Sequence, residues 1–109
     1  MKDHRDIDER SLAFGRAIAE RVLSSPELIS QARATAQRWM TTCSPRAIAP
    51  LQEWLTALDQ PIEQVVALLT SRDQRAIRLR QSNPFAGVLS NSERNAIIRQ
   101  FESHDSTAA

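Results

Sequence analysis

Six arginines, Arg72, Arg75, Arg78, Arg80, Arg94 and Arg99, stand against only Asp73 and Glu93 between positions 72 and 99, six minus two giving a local charge of +4. The preceding stretch from Ala47 to Leu69 carries three acids and no base, a charge of −3. Arginine in this density suits recognition, because its planar fork of N–H donors matches carboxylates, phosphate oxygens and base edges. Arg72, Arg75 and Arg78 recur every third residue, so a helix there gathers them on one side. Arg78, Arg80, Gln81 and Asn83 flank Pro84-Phe85, a polar rim around a hydrophobic centre of the kind that forms a small interface hot spot. The candidate partner-binding residues are therefore Arg72, Arg75, Arg78, Arg80, Gln81, Asn83 and Phe85.

Catalytic chemistry has no comparable support. His4 and His104 lie near the two ends of the chain, and Cys43 is the one cysteine. Such a set cannot supply the fixed ligands of a metal site or an intramolecular disulfide. Gly15 and Gly87 are isolated, which excludes a glycine-rich phosphate loop. Asp6, Asp8 and Glu9 cluster where acids complement the positive end of a helix dipole. The sequence thus reads as non-enzymatic, without cofactor or metal.

The elements that would position these residues are helical. Hydrophobic residues make up 41% and charged residues 25% of 109, with 2 glycines and 5 prolines, a globular and helix-forming composition. No apolar run approaches the ~20 residues of a membrane span, and the polar N-terminus does not resemble a signal peptide. The expectation is a soluble, cytoplasmic protein of bacterial style.

Apolar spacing near 3.6 residues predicts a first helix over 6–23, with Gly15 placed to let another helix approach closely. Ser25-Pro26-Glu27 is a cap and first turn for a second helix reaching Met40. Pro45 and Pro50 predict a linker over 41–49 and a short third helix over 50–58, with Trp54 and Leu58 facing inward. The fourth helix, over 61–69, is the most continuously apolar and the candidate central element. Ser71 with Gln74 and Ser90 with Glu93 have capping-box spacing, opening helices to about Gln81 and Glu102. No strand-like alternation occurs. The fold class is all-α, a compact orthogonal bundle of five to six short helices, with one domain over 1–102 and a flexible C-terminal tail over 103–109.

The segment Leu79 to Arg94 joins the last two helices, yet Phe85, Val88 and Leu89 are apolar where a surface loop would be polar. Either they complete the core over Ile77 and Ile97, or they await a partner. Together with Arg10-Ser11-Leu12-Ala13, Pro26 to Leu28 and Glu53-Trp54, the run Leu79 to Leu89 (Leu-Arg-Gln-Ser-Asn-Pro-Phe-Ala-Gly-Val-Leu) resembles the marks of a family of small bacterial all-helical proteins. Members look like the smaller partners of two-gene modules. The resemblance implies an antitoxin-like protein that binds and neutralises a toxin encoded nearby, and it carries no catalytic residue over. The alternative is a DNA-binding transcriptional regulator using the Arg-rich 72–99 region. The long apolar connector argues against this, since a helix-turn-helix needs a turn of three or four residues. A homodimer through the Gly15 face is a third arrangement to test.

Overall fold

The computed structural model describes residues 4–85 and 87–108, with side chains described over 8–85 and 87–101. Expectations for His4, His104 and the flexibility of the tail fall outside the described side chains. Six helices follow one another: α1 (His4–Ser24), α2 (Leu28–Met40), α3 (Pro45–Leu58), α4 (Ile62–Thr70), α5 (Gln74–Arg80) and α6 (Asn91–Ala108). Among the described residues there is no strand, and no helix is long and apolar enough to cross a membrane. The all-α bundle of short helices is the one that periodicity and composition predict.

The core is built from one face of each helix. Ile18, Ala19 and Val22 of α1 meet Val65, Leu68 and Leu69 of α4, with Trp54, Ala57 and Leu58 of α3 closing the other side. α1 packs against α2, α4, α5 and α6, which makes it, rather than α4, the central element. The reason is visible at Gly15, whose place on α1 brings the backbone of α4 so near that a Cβ there would lie 1.9 Å from the carbonyl oxygen of Leu69. The close approach at Gly15 is therefore made within the chain, by α4.

Three boundaries differ from expectation. α3 begins at Pro45 and carries Pro50 in its interior. Pro45 suits the first helical position, where its missing N–H would be unpaired anyway. Pro50 removes one further bond, to the carbonyl of exposed Arg46, which water can satisfy. α5 starts at Gln74 rather than after Ser71, because Asp73 is the cap and accepts a 2.7 Å bond from the Ala76 N–H. α6 continues past the expected end at Glu102 as far as Ala108. The capping box between Ser90 and Glu93 forms as its spacing predicts, with Ser90 N–H donating to Glu93 Oε1 at 2.9 Å and Glu93 N–H to Ser90 Oγ at 3.1 Å.

Candidate functional site

The connector 81–90 is held from inside. Asn83 Oδ1 accepts the Phe85 N–H at 2.9 Å, and Val88 N–H closes a turn on the Phe85 carbonyl at 3.0 Å. Gly87 supplies that turn's positive φ of 93°, a conformation that side-chain-bearing residues adopt rarely. These constraints drive Phe85 into the core, 1% exposed, with its ring edge-on to Trp54 at 6.0 Å. Trp54 Nε1 in turn donates to the Leu79 carbonyl at 2.6 Å. Of the two readings of the apolar connector, core completion describes Phe85 and Leu89, both of which are buried.

Among the described residues, Arg80 is the one charged side chain in the core, 6% exposed. Its Nε donates to Ser11 Oγ at 3.1 Å, and one Nη donates to the carbonyls of Leu68 at 3.0 Å and Ser71 at 2.7 Å. Those carbonyls belong to the C-terminal end of α4, where the helix dipole favours a cation. Burial pushes the guanidinium pKa down, and the charges of Asp8 and Asp73 oppose that shift. Arg80 is thus a strut between α1, α4 and α5 instead of an exposed contact, which corrects the expectation drawn from its place in the motif.

Of the remaining arginines of the expected surface, Arg75 and Arg78 share one side of α5, facing Glu53, while Arg72 does not. Arg72 precedes the helix and pairs with Glu9 of α1. Arg78 makes a two-pronged pair with Glu53 of α3 at 2.9 and 3.4 Å, and Arg75 lies 3.8 Å from the same carboxylate. The Arg78 hydrogen bond is the main reason the Glu53 carboxyl falls below its ordinary range, and Arg78 is shifted up in return. The negative 47–69 stretch and the basic 72–99 stretch therefore neutralise each other partly within the molecule. Arg33 of α2 likewise joins Asp59 at 2.7 Å and the Leu58 carbonyl at 3.0 Å, closing the end of α3.

What the structure does bring together is a groove of about 310 Å³ between α1, the connector and α6. Phe14, Ile18, Phe85 and Leu89 supply its apolar lining, and Arg10, Ser11, Arg80, Gln81, Asn83 and Arg94 its polar one. Arg94 lies over the Phe14 ring at 5.3 Å, and Arg10 over Phe101 at 5.8 Å. Four of the seven expected residues, Arg80, Gln81, Asn83 and Phe85, line the groove, while Arg72, Arg75 and Arg78 lie elsewhere. The sequence reading missed Arg10, Phe14 and Arg94 as members. Two traces of them were present: Arg10-Ser11 opens the first of the singled-out motifs, and Arg94 follows directly on the Ser90–Glu93 box.

Among the described residues, no group of three or more His, Cys, Asp or Glu side chains could hold a metal ion. The arrangement offers charge, N–H donors and apolar surface, which is the equipment of recognition. Fold and site together define a small all-α domain with a cationic, apolar-floored groove. No family model, no curated protein and no solved structure matches the chain.

Proposed function

We propose that the chain is a non-enzymatic, cytoplasmic protein-binding module, the antitoxin-like member of a bacterial two-gene system that binds and neutralises a toxin encoded beside it. The observation that carries the protein-binding reading is the meeting of distant segments, Arg10-Ser11, Arg80 to Leu89 and Arg94, around one groove that is apolar inside and cationic around it. Small interfaces concentrate their energy in such a composition, with buried apolar contact at the centre and arginine around it. The antitoxin reading adds the resemblance of Arg10 to Ala13 and Leu79 to Leu89 to the small partners of such modules.

The DNA-binding alternative asks more of Arg72, Arg75 and Arg78 than their surroundings support. Each would have to exchange a carboxylate, Glu9 or Glu53, for a phosphate. Co-expression separates the two readings. The neighbouring gene, induced alone, is expected to arrest growth, and co-expression of this chain to restore it. Growth arrest that persists with both genes expressed would contradict the antitoxin reading. Retention of the chain on DNA, lost steeply as salt rises, would favour the regulator, since each phosphate contact adds about one unit to the logarithmic salt slope.

A further inference from the structure

We infer that the groove between α1, the connector and α6 takes a segment of the protein partner that carries a carboxylate next to an apolar side chain, an inference that rests on the protein-binding reading. Arg21, Arg33, Arg72, Arg75 and Arg78 each lie at ion-pair distance from a carboxylate on another helix or at its end. Arg10, Arg80 and Arg94, the three that line the groove, have no such pair among the described residues. Among the described arginines, Arg16, Arg38, Arg46 and Arg99 also stand without an ion pair, but outside the groove. What marks the groove is that three unpaired arginines converge on one apolar cleft. Arg80 lies beneath the other two, its buried guanidinium hydrogen-bonded to the neutral oxygens of Ser11, Leu68 and Ser71. With Arg80 held as a strut and its charge partly offset by Asp8 and Asp73, half-buried Arg10 and exposed Arg94 are the cations that an incoming anion would meet.

The approach of the Arg10 and Arg94 guanidinium groups to the Phe101 and Phe14 rings, at 5.8 and 5.3 Å, uses their charge and no hydrogen-bonding acceptor. No hydrogen bond from either guanidinium is formed among the described residues, and a carboxylate is the acceptor that such a fork of N–H donors fits two at a time. Among the described residues no Asp or Glu lines the groove to compete for them. The apolar lining of Phe14, Ile18 and Leu89 sets the other half of the ligand. It would contribute nothing to a phosphodiester backbone but would bury an aliphatic or aromatic side chain. The volume, about 310 Å³, stands at the small end of ligand-sized clefts and suits an inserted peptide segment better than a duplex.

The test uses the full chain and the protein that copurifies with it from its native host. A photo-crosslinking benzoylphenylalanine replaces Gln81, which lines the groove and is exposed, or Arg46, which is exposed on α3 outside it. Expected is a crosslink from position 81 and none from 46, to a partner peptide in which an Asp, a Glu or the terminal carboxylate adjoins a large apolar residue. Replacing that acid by Lys in the partner should weaken the complex tenfold or more, a loss of about 1.4 kcal/mol or more. Arg94→Glu in this chain, checked for folding by circular dichroism, should restore part of the loss. Crosslinking from 46 alone, a crosslinked segment without a carboxylate, or an acid-to-Lys change without effect would each overturn the groove assignment while leaving the protein-binding reading intact. Crosslinks to nucleic acid, or the absence of any stoichiometric protein, would overturn both.

Discussion

Arg80 and Gly15 decide the interior together, since the Arg80 Cδ would stand 3.2 Å from a Cβ at position 15. For Gly15→Ala two effects compete. Alanine gains roughly 1 kcal/mol of helix propensity, but its methyl group would have to displace the backbone of α4 from 1.9 Å, and overpacking of this kind costs about 1–3 kcal/mol or more. Sterics should win, so the variant is expected to melt at lower temperature in a circular-dichroism scan. Arg80→Lys keeps the charge but loses the geometry that reaches Ser11, Leu68 and Ser71 at once. Loss of about 2–4 kcal/mol in chemical denaturation is expected, as for other broken buried networks. An unchanged midpoint would mean that the strut does not carry the packing of α1 on α4. The spacing of apolar residues makes Gly15 legible as a point of close approach, because a glycine inside an apolar helical stripe has few other uses. The burial of Arg80 is not legible in the same way. It sits next to exposed Arg78 and Gln81 in the sequence, and only the arrival of two carbonyls from the end of α4 makes burial tolerable.

The helices differ in how they are started, and pH separates the mechanisms. The Ala76 N–H, then Ser71, lowers the pKa of the Asp73 cap, and the Ser90 N–H, then Arg21, lowers that of Glu93. A carboxylate whose folded pKa is depressed adds stability that is present above its unfolded pKa and is lost as pH falls through the folded one. The molecule should therefore lose stability on acidification from just above the ordinary values of 4.5 for Glu93 and 3.8 for Asp73. Asp73→Asn and Glu93→Gln should flatten that part of the denaturation-midpoint profile, and an unaltered acid limb would contradict their capping role. In α3, Pro50→Ala should raise stability by on the order of 1 kcal/mol, as the restored N–H bond outweighs the freedom gained by the unfolded chain. The two caps illustrate how far sequence carries. Ser90 and Glu93 close on each other within four residues, so their spacing suffices. Ser71 has the same spacing to Gln74, but its neighbour Asp73 is the stronger acceptor and its own carbonyl is held by Arg80. Pro50 misled for a related reason, since the rule against interior proline weakens where the freed carbonyl faces water.

At the scale of the molecule, three of the six arginines that make the sequence look like a nucleic-acid binder, Arg72, Arg75 and Arg78, are paired with carboxylates inside it. Glu53 alone engages Arg75 and Arg78 from another helix, a pairing across more than twenty positions that no local pattern shows. The groove is harder still to foresee, since Arg10, Arg80 and Arg94 come from three parts of the chain. α6 closes it and, among the described residues, packs on α1 through Arg21 to Glu93 and Arg94 over Phe14. Substitution of the buried residues Phe85 or Arg80 would report on folding as much as on binding, so the exposed rim, Gln81 and Arg94, is where recognition should be probed. For the same reason, Arg94→Glu is expected to leave the midpoint of thermal unfolding within a few degrees of the parent while weakening the partner complex tenfold or more. The most direct measurement of the central claim is native mass spectrometry of the tagged full-length chain, purified from its host at moderate and at high salt. One protein bound in a fixed ratio that survives the high-salt wash is the expected result. Nucleic acid that leaves as salt rises, with no stoichiometric protein at either salt, would contradict it.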